Sequence, residues 1–360
     1  MKEKIGIGII GTGFARKTQI PAFQHLPDAE VVSVASGSLE NAESTAKEFE
    51  IKHWTDNWKE TVEKDDVDLI CITTPPDLHK EMTLFALEHE KHILCEKPFA
   101  MNVAEAEEMT EKALEKNVLA LIDHELRFLK GRQKAFEIIR EGKIGKIIHF
   151  KQTFRNSSRG TSDVAWNWWS NKDAGGGTLG AIGSHAIDTF GWFLDTEITN
   201  IFCLLKTNVK KRTDKNGVER EVTSDDEANM ILKFADSELT QNAGGTASLS
   251  MVEAGEYDYN LKIFGTEGSL IIGEQGEIRH AKMGDGDWKE IEVDLGDAPP
   301  NVQPSGWSRG FMSFSSQIVS AIKTGKSEIP HAATFSDGLK IQKVLDAARK
   351  SDEKECFVKP

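Results

Sequence analysis

The sequence predicts an α/β domain built on a doubly wound parallel sheet, followed by an α+β domain whose strands pair mainly antiparallel. Three observations lead there. A short apolar run, KIGIGII, passes directly into a glycine turn, GTG, and then into a helical pattern. Apolar segments then alternate with amphipathic ones as far as His124, and strands separated by helices form a parallel sheet covered on both faces. Beyond Gly145 the strand-like segments follow one another across turns without helices between them, which implies antiparallel pairing.

The first strand and its turn carry the most chemistry. Gly11, Thr12, Gly13, Phe14, Ala15 and Arg16 form a GxG turn, with arginine where a third glycine often stands. Glycines there let backbone N–H groups approach a pyrophosphate at the positive end of the following helix, the Rossmann arrangement for dinucleotides. Ala29–Ser36 reads as a second strand and LENAESTAKEF as its helix. VDLICITTPP is the third strand, with DLHKEMTLFALEHE the helix after it. KHILCEKP is the fourth, followed by the helix NVAEAEEMTEKALEKN and a fifth strand, LALID.

Ligands of such domains bind beyond the carboxyl ends of the strands. That rule selects Gly11–Arg16, then Ser36, Gly37 and Ser38, then Thr73, Thr74, Pro75 and Pro76 with His79, and finally Glu96 and Lys97 as the cofactor-binding edge. The tip of the second strand, SGSLEN, offers neither the acid that binds ribose hydroxyls nor the base that accommodates a 2′-phosphate. NAD and NADP both stay open, with Arg16 a substitute phosphate anchor. Pro98 stiffens the turn after Lys97, whose ammonium either donates to a substrate oxygen or pairs with Glu96.

Composition narrows the partners. With 39% apolar and 28% charged residues the chain reads as a soluble globular protein, and at 360 residues it suits two domains. A net charge of −14 argues against nucleic acid and anionic membranes, which need clustered lysine and arginine. The densest basic run, KTNVKKR, reads as a solvated hairpin. Cys71, Cys95, Cys203 and Cys356 lie far apart, with no CxxC or Cys/His ligand spacing, so a reducing compartment and no metal site are expected. The charged start has no signal-peptide pattern, and no run reaches the roughly 18 apolar residues a membrane helix needs. A cytoplasmic protein is expected.

In the second part GKIIHFKQTFR alternates, with Ile148, Phe150 and Phe154 on one face and His149, Lys151, Thr153 and Arg155 on the other. NIFCLLKTNV, DEANMILKFA, LTQNAGGTASLSM, YNLKIFGTEGSLII and GDWKEIEVDL are further strands. Trp307, Phe311, Phe314, Ile318 and Ala321 make the apolar stripe of an amphipathic helix. The loop FRNSSRGTSDVAWNWWSNKDAGGG crowds Arg155, Asn156, Arg159, Trp166, Trp168, Trp169, Asn171 and Lys172 ahead of the helix bearing His185. Trp faces stack on sugar rings or nicotinamide, and Arg, Asn and Lys donate to hydroxyls or a carboxylate; a packed Trp cluster is the alternative. Trp168 is read as a cofactor contact, and Arg155, Trp166, Asn171 and Lys172 as substrate contacts. Gly175–Gly177 are expected to admit backbone to the ligand.

The segments IGIIGTGFAR, ITTPPDLH, CEKPFAMN, DHELRFLKGRQKAFEIIREGKIGKI, GGGTLGAIGSHAID and FSDGLKIQKVLDAARKS occur in this order. Over nearly its whole length the chain therefore resembles the glucose-fructose oxidoreductase / inositol dehydrogenase / rhizopine-catabolism (Gfo/Idh/MocA) family. The resemblance implies a Rossmann domain, here over residues 1–124, and a substrate domain over 125–330 with a large open sheet whose outer face makes a homodimer or homotetramer. Residues 331–360 are expected to form a helix packing back on the first domain. It further implies tightly held NAD or NADP and hydride transfer to or from a hydroxyl or carbonyl of a sugar, inositol or related polyol. Lys97 matches the family's EKP lysine and His185 its active-site histidine; Arg127 joins the substrate contacts. His185 would act as general acid/base, its ordinary pKa near 6.5 suiting exchange at neutral pH, while Lys97 stabilises the alkoxide. One departure stands out: the family's Asp-x-x-x-His has Ala181 in place of the aspartate, with Asp188 one turn after His185 on the same face. Two rival readings follow, an NAD-assisted glycoside oxidation–elimination enzyme without net redox, and a non-catalytic dinucleotide- or sugar-binding regulator.

Overall fold

The computed structural model describes residues 3–255 and 257–360. It separates into two units, one running to Leu129 and including Gly296–Leu339, the other comprising Lys130–Leu295 and Lys340–Pro360. These boundaries differ from the expected 1–124, 125–330 and 331–360, for reasons of packing. The helix Gly306–Thr324 belongs to the first unit because its apolar stripe is buried there: Phe311 meets Phe23 edge-on at 5.6 Å and Phe314 stacks on Phe128 at 4.2 Å. The last helix, Phe335–Lys354, is shared. Phe335 sits against Phe99 at 4.5 Å in the first unit, whereas Ser351 Oγ and Asp352 accept the Cys203 and Leu205 N–H groups of the second at 2.9 and 2.8 Å.

The first unit holds a seven-stranded sheet among the described residues. Its parallel strands are β1 (Ile5–Ile10), β2 (Ala29–Ala35), β3 (His53–Thr55), β4 (Leu69–Ile72), β5 (His92–Cys95) and β6 (Ala120–Ile122), in the spatial order β6-β5-β4-β1-β2-β3. β1 and β4 are buried along their whole length, as continuous apolar runs in a sheet covered on both faces require. Two elements escaped the sequence pattern. β3 and the helix Trp58–Glu63 are too short to show a period, and β3 is recruited by pairing Ser33–Ala35 with His53–Thr55. The strand Ala333–Thr334 closes the β6 edge in antiparallel sense.

The second unit is built on an eight-stranded sheet. In chain order it contains β7 (Ile147–Arg155), β8 (Ile198–Lys206), β11 (Glu227–Phe234), β12 (Thr240–Ser250), β13 (Asp258–Gly265), β14 (Gly268–Ile272), β15 (Ile278–Lys282) and β16 (Lys289–Ile291), with β9 (Lys211–Thr213) and β10 (Glu219–Glu221) forming a separate hairpin inside the basic run's continuation. The spatial order is β16-β15-β14-β13-β7-β12-β11-β8, and among the described residues every pairing in it is antiparallel except β7 with β12. One face packs on the helix Ser184–Leu194, where Phe190 lies 4.6 Å from Phe150. Ile148 is a correction: it is exposed, because the β13 register skips it between Ile147 and His149, and this bulge turns Ile147 to the core in its place. Among the described residues no helix is long and apolar enough to cross a membrane.

Candidate active site

In the first unit the carboxyl ends of β1 and β4 are clamped together. Gly11 leaves β1 at φ +99°, and a Cβ there would stand 2.5 Å from Thr73 O, so both the dihedral and the space require glycine. Thr73 Oγ1 sits 2.7 Å from Gly11 O and 3.0 Å from Ile10 O. Gly13 is different: a Cβ would meet nothing within 4 Å. The turn thus presents an open cradle at the start of the helical segment Ala15–His25, where unpaired N–H groups and the helix dipole favour an anion. These residues fit a dinucleotide pyrophosphate.

At the tip of β2, Gly37 also faces open space, Ser36 N–H donates to Thr55 O at 3.2 Å, and Ser38 caps the helix Leu39–Glu48 through Asn41 N–H. The Arg16 guanidinium is ion-paired at the surface with Glu48, at the end of that helix. Thr74 Oγ1 contacts Met82 Sδ at 3.5 Å, and Pro75–Pro76 lead into the next helix. His79 lies buried under this turn: its ring nitrogens are 3.0 Å from Thr74 O and 3.3 Å from Phe99 O. Burial, with the nearby Lys97 charge adding, lowers its pKa, so a neutral ring ties the proline turn to the segment after Lys97. Glu96 is buried and accepts the Lys97 backbone N–H at 3.3 Å. Arg127 is buried, with Nη1 3.3 Å from His331 O and Nη2 3.9 Å from Asp337, where residues 331–337 fold over β6.

In the second unit the loop after β7 is fastened at many points. Arg155 pairs with Glu253 and also donates to Ser248 Oγ. Arg212, from the β9 hairpin, donates to the carbonyls of Arg159, Thr161 and Val164. Arg159 donates to Ser170 Oγ at 3.0 Å and lies over the Trp169 ring, its pKa brought down to about 10 by burial and then by the Arg212 charge. Trp166 Nε1 donates to Glu221 O at 2.9 Å with Arg220 over its ring, so this side chain is occupied by the hairpin. Trp168 and Trp169 have ring centroids 5.5 Å apart, Asn171 Oδ1 accepts the Asp173 N–H at 3.2 Å, and Lys172 is exposed.

At Gly176 and Gly177 the space a side chain would take is already filled by protein. A Cβ on Gly176 would stand 2.5 Å from the carbonyl oxygens of Trp168 and Trp169, and one on Gly177, at φ +119°, would collide with Asp225 Oδ1. Asp225, which no motif signalled, accepts the Leu179 N–H at 2.7 Å and so fastens the start of the His185 segment. Burial raises its pKa to about 6 against the lowering effect of that N–H and of Arg349. A wide π-turn, Leu179–Gly183, precedes the α-helix Ser184–Leu194; such turns recur at functional sites. Ala181 in that turn and His185 and Asp188 in the helix are all buried. Among the described residues no group of His, Cys, Asp or Glu is arranged to hold a metal ion.

A doubly wound sheet with an open glycine cradle at its first helix, joined to a large antiparallel sheet unit, defines a dinucleotide-binding oxidoreductase. The chain belongs to the Gfo/Idh/MocA oxidoreductases. Residues 5–124 match the family model described as an oxidoreductase family with an NAD-binding Rossmann fold, and residues 132–271 match the GFO/IDH/MocA C-terminal domain. An uncharacterized oxidoreductase of Synechocystis sp. is 30% identical over 269 residues, covering 74% of this chain and 71% of that one. A glucose-6-phosphate 3-dehydrogenase of Bacillus subtilis is 28% identical over 347 residues, 94% of both chains. A levoglucosan dehydrogenase solved with NADH and levoglucosan superposes with a TM-score of 0.88 at 26% identity, covering 99% of both chains. The dinucleotide expected from the glycine turn agrees with the family description, an NAD-binding Rossmann fold.

Proposed function

We propose that this oxidoreductase is an NAD-linked dehydrogenase that moves a hydride between the nicotinamide and a ring hydroxyl or carbonyl of a sugar or related cyclic polyol. The observation that supports it most is the open cradle at Gly13 in a chain alike, along its whole length, to an enzyme bound to NADH and an anhydrosugar. When bound, the cofactor accepts or supplies the hydride. Lys97 donates to the reacting oxygen and stabilises it as an alkoxide. His185 takes the hydroxyl proton on oxidation and returns it on reduction. Arg155, Trp166, Trp168, Asn171 and Lys172 belong to the loop assigned to the polar substrate and the nicotinamide; of these Lys172 is the exposed cation. The outward face of the large sheet, with Ile148, Leu204 and Ile231 exposed, is assigned to contact with a second copy, and native mass spectrometry of an Ile231→Lys variant tests that.

The test of the catalytic roles is single-turnover hydride transfer with a panel of sugars, anhydrosugars and inositols. Lys97→Met is expected to keep dinucleotide affinity and lose about 10²–10³ in rate. His185→Ala is expected to lose about 10²–10⁴. Parent rates in both variants would refute the assignment. Product formed without net NADH would favour the oxidation–elimination reading instead.

A further inference from the structure

Two carboxyl groups lie side by side at the level of the Lys97 turn. Glu96 follows β5 and Asp123 follows β6; Cys95 pairs with Ile122, and Asp123 N–H donates to Cys95 O at 2.8 Å, so both acids leave adjacent strands at one height. Gln19, from the helix behind the glycine turn, shares one amide nitrogen between them. Its Nε2 is 3.2 Å from Glu96 Oε1 and 2.8 Å from Asp123 Oδ2. Gln19 and Asp123 are fully buried and Glu96 nearly so. Both acids face that one amide nitrogen, and two carboxylates offer acceptors only, so a proton held between them would supply the donor the cluster lacks. Asp123 Oδ1 and Gln19 Oε1 are buried without a hydrogen-bond partner, which leaves the cluster short of donors and adds to the case for that proton.

We propose that Glu96 and Asp123 are positioning residues that hold one proton between them, set the charge beside Lys97, and release that proton to solvent when an oxidised, cationic nicotinamide is bound. The inference rests on the dinucleotide reading above. With one proton the pair carries a single negative charge, matched by Lys97. A second cation at these strand ends favours the doubly ionised pair, and a neutral reduced ring does not. The balance is simple: one carboxyl O–H breaks, its proton goes to water, and two carboxylates face two cations. The groups facing the pair fit this. Burial raises both acids, with Glu125 and Glu96 pushing Asp123 further up and Lys97 drawing Glu96 down. The thiols of Cys71 on β4 and Cys95 on β5 are raised by burial and stay protonated. Asp123 was invisible as a functional residue in the sequence; only the level pairing of β5 with β6 brings it to Glu96.

Calorimetric titration of the whole protein with NAD⁺ and with NADH, at pH 7 in phosphate and in Tris, counts the protons exchanged. NAD⁺ is expected to release a substantial part of one proton and NADH none. Affinity for NAD⁺ should then tighten with pH, by up to about tenfold per unit, while that for NADH stays flat. Asp123→Asn and Glu96→Gln should abolish the release and flatten the NAD⁺ profile, while His185→Ala should retain it. Normal NAD⁺ binding with equal heats in both buffers overturns the proposal, and needs no variant. Release that survives in Asp123→Asn, or vanishes in His185→Ala, places the proton elsewhere and overturns it too. Failure to bind either dinucleotide overturns the dinucleotide reading, and this inference with it.

Discussion

Asp225 offers a perturbation whose sign and size follow from its surroundings. Its carboxyl is buried against Gly177 and the Leu179 N–H, and burial lifts its pKa from 3.8 to about 6. The folded protein therefore keeps a proton that the unfolded chain has already lost between these values. Stability falls as pH rises through that window and levels off above it. At 1.36 kcal/mol per unit, a shift of roughly two units costs about 3 kcal/mol at pH 7 and nothing at pH 3. Asparagine keeps the shape and an oxygen for the Leu179 N–H, and has no charge to desolvate. The Asp225→Asn variant is expected to match the parent near pH 4 and to gain on it progressively up to about pH 7. At about 2–4 °C per kcal/mol, the gain amounts to several degrees in Tm. Thermal melts followed by circular dichroism from pH 4 to pH 8 measure the gap directly. A gap that stays constant, or that widens toward low pH, would refute the claim that Asp225 is a carboxylate held at a cost.

Gly13→Val should abolish dinucleotide binding in calorimetry without loss of secondary structure, because the new side chain enters space that no protein atom occupies. Gly177→Ala should destabilise by about 2–4 kcal/mol in denaturant titrations, from the left-handed φ and the collision with Asp225, and part of that loss should return in the Gly177→Ala, Asp225→Ala double variant. Glu48→Gln should release Arg16 and raise the NADP-to-NAD affinity ratio several-fold, a gain that Arg16→Ala then removes. An unchanged ratio in Glu48→Gln would mean that Arg16 never reaches the ribose.

What the sequence determined by itself was local in character. KIGIGII-GTG is strand, turn and helix because its apolar run, its glycines and its helical period lie within a few residues of one another; the turn leaves no room for a side chain at Gly11 and leaves open space at Gly13. The alternation of strand and helix up to His124, and its absence after Gly145, likewise follows from nearest-neighbour patterning. So does the amphipathic stripe Phe311–Ala321, although the unit that buries it does not. Tertiary structure decided everything that depends on residues meeting from distant parts of the chain. Gly176 and Gly177 are required by Trp168, Trp169 and Asp225, which fill the space a side chain would need there. Arg16 forms an ion pair with Glu48, a helix away, that its own turn motif did not announce. Arg127 meets His331 and Asp337, which lie some two hundred residues further along the chain. Gln19, Glu96 and Asp123 share no motif, being 77 and 104 residues apart along the chain from Gln19. Periodicity reports how a segment divides between core and solvent. It is silent on which buried acid will face another, because that is set by strand order and register, and those belong to the fold as a whole.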